Sequence, residues 1–253
     1  MSKVVFIGAG PGAADLITVR GAQRLAAAEV VLFDALTAPE LRKLAPKARW
    51  IDVGKRGFCD STGQVAINAL LVRHARSGRA VVRLKGGDPS VFGRLEEELQ
   101  ALAAAGIEAE VVPGVTAALA AAAATQRPLT RRGSGRSVSL STAMTRSGTL
   151  RATRSADTEV LYMAGRQLGA LRLRLRQAGW PDDTPVLVVS RAGWPDQLAS
   201  DHQVSTLAEA RLLHAGRPTV VTVGVGAAPI SAATRPVSEV LQTRARQVAW
   251  SPP

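Results

Sequence analysis

Short uninterrupted apolar runs alternate along the chain with longer stretches in which apolar residues recur every three or four positions. Residues 3–7 form a β-branched run closed by Gly8-Ala9-Gly10-Pro11-Gly12, and Thr18 is placed to cap a helix reaching about Ala28, with Ala22, Leu25 and Ala26 on one face. Residues 30–33 predict a second strand ending at Asp34, residues 39–44 a short helix, and residues 50–53 a strand stopped by Gly54. The spacing of Val65, Ile67, Leu70, Leu71 and His74 predicts a helix over residues 64–76 closed by Gly78, while residues 80–84 read as a continuous apolar strand. A helix over 95–105 leads through Gly106 to a strand at 108–112 and the turn Pro113-Gly114. Unbroken apolar strands between helices imply a mostly parallel sheet covered on both faces.

Residues 117–124 are a run of small helix formers, followed by a polar, glycine-containing arginine stretch from Arg127 to Arg136. We therefore expect an N-terminal α/β domain over 1–115, a linker helix and arginine-rich link over 116–136, a C-terminal α/β domain over 137–230 and a tail over 231–253. Strands are expected near 137–141, 159–162, 185–189 and 219–223, helices near 166–178 and 206–214. Residues 145–157 lack apolar periodicity and read as a mobile loop, and the chain after Gly226 reads as a loosely ordered tail.

With 253 residues, 46% of them hydrophobic, the chain can bury sizeable cores. No window approaches the roughly 18 consecutive apolar residues of a membrane span, and no basic-then-apolar leader precedes the first strand, so a cytoplasmic protein is expected. One cysteine, Cys59, and three widely spaced histidines, His74, His202 and His214, leave no metal site to assemble. The formal charge of +12 attracts polyanions: nucleic acid, an acidic membrane or a small polycarboxylate or phosphate. An arginine-rich solvated surface accounts for the excess equally well. Aromatics at 4% leave no stacking platform for single-stranded nucleic acid, which makes such a partner unlikely on sequence grounds.

Gly8-Ala9-Gly10-Pro11-Gly12-Ala13 after a strand satisfies the dinucleotide fingerprint, and Asp34 ends the next strand where a ribose-binding acid belongs, so a nicotinamide or flavin oxidoreductase is one reading. Against it, Asp15 to Thr18 reads as a loop and cap, which delays the helix whose amides should face a pyrophosphate. More specific is Gly86-Gly87-Asp88-Pro89, beyond the carboxyl end of another strand. Its two glycines permit close backbone approach, the acid can pair with a cation or hydroxyl, and the proline fixes the exit. Asp34, Lys55 and residues 113–116 lie at the same end of the expected sheet.

Four segments, "VVFIGAGPG", "DVGKRG", "VVRLKGGDPSVFGR" and "VVPGVTAALA", occur in this order, and the chain thereby resembles the tetrapyrrole methylase family. The likeness is dense from residue 3 to about 140 and continues through "VLYMAG", "TPVLVVSRAG" and "RPTVVTVG" to about 226. The resemblance implies two α/β domains of the tetrapyrrole methylase type, usually in a homodimer, with S-adenosyl-L-methionine bound in the cleft between them. It implies transfer of methyl groups to two pyrrole carbons of uroporphyrinogen III, giving precorrin-2 on the route to sirohaem or cobalamin. It also implies a stand-alone methyltransferase without the fused dehydrogenase domain of some relatives. A ribosomal-RNA ribose methyltransferase of the same fold is the alternative that the basic charge would also suit.

Carried over by resemblance, cofactor contacts fall on Pro11, Gly86, Gly87, Asp88, Val91, Thr116, Ala117, Met163 and Ala192. Arg94 and Glu97 match positions of substrate handling and proton abstraction, Asp34 and Lys55 positions proposed as acid and base, and Arg132 a substrate position. A guanidinium is a poor base, so Arg94 is expected to clamp substrate rather than accept a proton. Arg127, Arg131 and Arg136 could join Arg132 in gripping carboxylates or belong to a solvated loop. This sequence departs from the family at Leu95-Glu96, where two glycines are usual, at Ser90 in place of phenylalanine, at Arg131 in place of histidine, and at Met144 in place of a substrate-contacting histidine.

Overall fold

In a computed structural model, residues 3–54, 63–143 and 149–230 are described. Five strands make the first sheet: β1 (Lys3–Gly8), β2 (Val30–Phe33), β3 (Arg49–Asp52), β4 (Val81–Lys85) and β5 (Glu108–Val112). Their order is β3-β2-β4-β1-β5 and every pairing is parallel. One face packs Val4, Phe6 and Leu32 against Leu71 of α2 (Gln64–Arg76) and Leu102 of α3 (Leu95–Ala104); the other packs Ile7, Val31 and Leu84 against Leu25 of α1 (Val19–Ala26). Because β1 connects to β2 past the intervening β4, the crevice outside the carboxyl ends of β1 and β4 is the natural ligand position in such a sheet.

Local expectations are met where a single turn decides them. Thr18 Oγ1 accepts from Gly21 N at 3.1 Å and starts α1. Its buried face carries Gly21 and Leu25, whereas Ala26 is exposed, so the expected stripe is shifted by one residue. Val65, expected on the apolar side of α2, is 84% exposed because Ile67, Leu71, His74 and Ala75 take the inward face. The strand expected to be continuously apolar is not: Arg83 and Lys85 of β4 are each only 2% exposed.

A helix of small residues, α4 (Ala117–Ala124), leads to the second sheet, formed by β6 (Val138–Thr142), β7 (Thr158–Tyr162), β8 (Pro185–Ser190), β9 (Leu198–Gln203) and β10 (Thr219–Gly224). The order is β6-β7-β10-β8-β9, and only β6 and β7 run parallel. α5 (Leu168–Gln177) covers one face with Leu168, Leu171 and Leu175. Strand β9 was not expected, since "LASDHQ" has almost no apolar content and is held as an edge by its ladder with β8. The helix expected over 206–214 is instead a 3-10 segment, Val204–Ala210, followed by the single turn α6 (Arg211–His214).

The loop expected over 145–157 is partly outside the described residues, but Leu150 is buried and Trp180 Nε1 donates to the Thr153 carbonyl at 2.7 Å, so its later part is anchored. The chain beyond Gly226 also stays attached at first, with Ala227 buried and Arg131 donating to the Ala228 carbonyl. Residues 231–253 of the expected tail lie outside the described residues. Among the described residues no helix is long and apolar enough to cross a membrane, and no cluster of three or more His, Cys, Asp or Glu could hold a metal ion.

Below the second sheet, Arg217 Nε donates to Ser190 Oγ, which leaves the serine proton for His214 Nδ1 at 2.9 Å; His214 Nε2 then meets Ser200 Oγ at 2.9 Å. Burial, the nearby His202 and Arg217 all hold the His214 pKa below the usual histidine value. A depressed folded-state pKa gives stability that is present above the unfolded value of about 6.5 and is lost as pH falls toward the folded value. The melting temperature is expected to fall as pH drops below about 6.5, and less steeply in His214→Gln; parallel pH–melting curves for the two would contradict this assignment.

Candidate active site

Three strand exits of the first sheet are locked together by backbone alone. A Cβ on Gly8 would lie 2.5 Å from Gly114 Cα and 2.8 Å from the Gly87 carbonyl oxygen, and one on Gly114 would fall inside that same oxygen. Gly10 and Gly87 form an isolated bridge, with Gly87 N donating to Gly10 O at 2.7 Å and Gly10 N to Gly87 O at 3.3 Å. Gly87 adopts φ +70°, a conformation that favours glycine. The Asp88 carboxylate finishes the knot, accepting from Ser90 N and Gly114 N, both at 2.8 Å. Asp88 was expected to face a cation or hydroxyl; in the structure each of its oxygens accepts one backbone N–H.

This geometry removes the dinucleotide reading. The amides of Ala9 and Gly10 donate to Lys85 O and Gly87 O rather than facing a diphosphate, and a 3-10 turn at Ala14–Leu16 intervenes before α1 begins at Val19. Asp34, the expected ribose acceptor, has one oxygen engaged by Arg83 Nη2 at 2.6 Å.

The second sheet closes on these loops from across the cleft. Trp194 Nε1 donates to the Pro11 carbonyl at 2.9 Å, its ring lies under the Arg191 guanidinium at 4.3 Å, and a Cβ on Gly12 would land on the indole. Ala192 is buried beside this turn, and Gly193 approaches the Pro11 ring. Met163, at the end of β7, is exposed with φ +58°. Next to it, the Tyr162 hydroxyl meets Thr116 Oγ1 at 2.7 Å and accepts from Ala118 N at 3.3 Å, at the start of α4. Burial pushes the Tyr162 phenol above its usual pKa, so it remains a neutral hydrogen-bonding group. Phe92, beside Val91, packs its ring 4.9 Å from that of Tyr162. The carried-over positions Pro11, Gly86 to Asp88, Val91, Thr116, Ala117, Met163 and Ala192 thus lie on strand ends and loops that the two sheets turn toward one another.

A cavity of about 250 Å³ lies at the end of β4 and is lined by Asp34, Leu36, Arg83, Lys85, Phe92 and Arg94, among others. Arg94 sits at the start of α3 with φ +54° and holds Glu97 through two bonds, Nε to Oε1 at 2.8 Å and Nη2 to Oε2 at 2.7 Å. Glu97 raises the Arg94 pKa further, which leaves the guanidinium a donor and not a base. Neighbouring Glu98 is fully buried and ties Arg83 Nε, at 3.1 Å, to Lys85 Nζ, at 2.8 Å. Arg83, Lys85 and Glu98 were not singled out from sequence, although two charges at alternate positions of a buried strand demand a counter-charge.

The arginine cluster divides. Arg127 pairs with Asp201 and donates to the Ala227 carbonyl at 2.7 Å, and Arg131 donates to the Ala228 carbonyl, so both brace the end of the described chain. Arg132 and Arg136 are exposed; Arg132 sits on the turn closed by the Arg131–Gly135 bridge and does not line the Asp34 cavity. Of the departures from the family, Leu95 packs against the first core, where glycine would leave a gap, and Ser90 is exposed. Lys55, Cys59 and Met144 lie outside the described residues.

Residues 3–210 match the model of the Tetrapyrrole (Corrin/Porphyrin) Methylases, and the chain belongs to this family. It is 45% identical over 199 residues to uroporphyrinogen-III C-methyltransferase of Pseudomonas aeruginosa, covering 77% of this chain and 81% of that protein. It is 42% identical over 234 residues to siroheme synthase 2 of Yersinia pestis, covering 89% of this chain but only 48% of that protein. The chain thus spans about half the length of that synthase. Among solved structures, uroporphyrin-III C-methyltransferase of Thermus thermophilus in complex with S-adenyl homocysteine superposes with a TM-score of 0.76 at 34% identity, covering 88% of this chain and 97% of that one.

Proposed function

We propose that the chain is an S-adenosyl-L-methionine-dependent uroporphyrinogen-III C-methyltransferase, which methylates two pyrrole carbons and forms precorrin-2 for sirohaem or cobalamin synthesis. The observation that carries this reading is the Gly8–Gly87–Gly114 knot, which presents a bare Gly87 backbone, two residues along from a cavity lined by Asp34, Lys85 and Arg94. The space in front of Gly87 fits a bound group. A Cβ there would meet only Thr116 Cα, at 3.9 Å, so the glycine leaves open a cradle that any larger residue would occupy. Pro11, Gly86, Gly87, Val91, Thr116, Ala117, Met163 and Ala192 would hold the cofactor, with Asp88 acting through the loop it ties. When bound, S-adenosyl-L-methionine supplies an electrophilic methyl group on a sulfonium.

The electron-rich pyrrole carbon needs alignment more than activation, and fixed orientation of two reactants is worth up to roughly 7–11 kcal/mol in favourable cases. The chain's own residues would therefore act by positioning. Arg94 keeps N–H groups beyond the two it gives Glu97 and would anchor a substrate carboxylate. Asp34, with an edge toward the cavity, and Lys55 would manage the proton that the methylated carbon releases. Arg132 would reach a second carboxylate arm from its exposed turn. We place the enzyme in the cytoplasm as a homodimer acting on a small polyanion rather than nucleic acid, and we place the boundary between its domains within the α4 and arginine-rich link, residues 116–136.

Incubation with S-adenosyl-L-methionine and anaerobically reduced uroporphyrinogen III, followed by mass measurement, is expected to show a gain of two methyl groups on the tetrapyrrole. No gain from a protein that still binds the cofactor would overturn the substrate assignment. Arg132→Ala is expected to raise KM about tenfold or more, the loss of a charge-assisted contact of about 1.5–3 kcal/mol, with cofactor affinity unchanged; an unaltered KM would dismiss the clamp.

A further inference from the structure

Asp34 is the end of a chain of charges that runs beneath the cavity. Its Oδ1 is held by Arg83 Nη2 at 2.6 Å, and Arg83 has no freedom to hold it differently: Nη1 donates to the Leu32 and Leu84 carbonyls at 3.4 and 3.1 Å and Nε to Glu98 Oε1. The Arg83 side chain lines the cavity floor but is only 3% exposed, while that of Asp34 is 31% exposed. Glu98 Oε2 in turn takes Lys85 Nζ, and Gln64 Nε2 of α2 donates to Glu98 Oε1 at 3.2 Å. The Lys85 stem passes under Gly93, whose Cβ would lie 3.0 Å from Lys85 Cε. Arg83 and Lys85 balance Asp34 and Glu98, two charges of each sign, in a place where an uncompensated charge is costly. Arg94, which holds Glu97, also lines the cavity.

We propose that Arg83, Glu98 and Lys85 are positioning residues for the reaction, a buried network that holds the Asp34 carboxylate in place and directed into the cavity, with Lys85 supplying the balancing charge. Lys85 is the informative member. Burial and the Arg83 charge lower its pKa against the opposing pull of Glu98 and Asp34, and the 2.8 Å bond from Nζ to Glu98 Oε2 is what sets it in the network as a counter-charge. Without it, Arg83 is the one cation left on Glu98, beside the neutral Gln64 amide, and the guanidinium is shared less evenly with Asp34. This inference rests on the role given to Asp34 above.

Lys85→Met keeps the stem and deletes the charge. The variant is expected to stay folded and to lose about tenfold in kcat, a fraction of the roughly 10²–10⁴-fold that proton transfer contributes, with KM and cofactor affinity unchanged. The double variant Lys85→Met/Glu98→Gln, which leaves Arg83 facing Asp34 alone, is expected to recover most of kcat. Wild-type kcat in Lys85→Met, or a double variant no better than the single, overturns the network. Asp34→Asn separates the two ideas: full activity there overturns the role of Asp34 itself and the inference with it, whereas an inactive Asp34→Asn beside an unaffected Lys85→Met overturns the inference alone. Carbodiimide labelling read by mass spectrometry gives a measure independent of turnover. Asp34 is expected to be modified severalfold faster in Lys85→Met than in the wild type, with Asp15 as internal reference, and equal rates would also overturn the proposal.

Discussion

Gly114→Ala is expected to lower affinity for S-adenosyl-L-methionine by at least about 100-fold, roughly 2.7 kcal/mol. The added methyl would sit inside the Gly87 carbonyl oxygen and within 2.7 Å of Gly8 Cα, and both neighbours are backbone that no side-chain rotation relieves. Overpacking of this kind costs typically 1–3 kcal/mol and is relieved by moving the β5 exit outward. That movement pulls Gly114 N off Asp88 Oδ2, and Asp88 then no longer restrains the loop through Ser90 N. The Gly86-Gly87 turn loses its shape even though the residue changed lies on another strand. Gly63→Ala is the matched control, because a Cβ there meets nothing within 4 Å. Calorimetry giving wild-type affinity for Gly114→Ala would sink the placement of the cofactor on these loops.

Glu98→Ala is expected to destabilise the protein by about 3–5 kcal/mol, whereas Glu97→Ala, one residue away, is expected to cost about 0–1 kcal/mol. The carboxylates are identical in chemistry and differ in surroundings. Glu97 is paired with Arg94 in water, with both side chains nearly half exposed; Glu98 is sealed between Arg83 and Lys85, whose side chains are 3% and 2% exposed. Removing Glu98 leaves the buried Lys85 without its carboxylate and Arg83 with Asp34 alone, so two buried cations share one anion and their desolvation is no longer fully offset. For a chain of this length the change corresponds to a fall in Tm of roughly 10 °C, which thermal melting would read directly. Equal melting temperatures for the two variants would show that Glu98 is not the counter-charge described here.

The contrast between these two glutamates also marks how far sequence reasoning reached. The strand exits at Gly8 to Gly12, at Gly86-Gly87 and at Pro113-Gly114 are legible because glycine and proline have backbone reasons to be where they are. The helix starting after Thr18 is legible because one hydroxyl and one amide decide it. The fate of a charged side chain is set by partners far along the chain, and there the reading faltered. Arg83 was absorbed into an apolar run and Lys85 just past it was passed over, the tie from Gly114 N to Asp88, 26 residues apart, was not foreseen, and Arg127 and Arg131 brace carbonyls about 100 residues away. Strand β9 escaped because an edge strand needs a neighbour more than it needs hydrophobic content.

The seam between the two sheets has a mechanical consequence. At the Pro11 end it is carried by one indole resting on a glycine, and at the Thr116 end by a phenol and the Phe92 ring, whereas each sheet is knit by continuous ladders and its own core. Stiff bodies joined by a thin weld yield at the weld. Any separation of the halves would therefore unseat Trp194 and Tyr162 before it disturbed a ladder in either sheet.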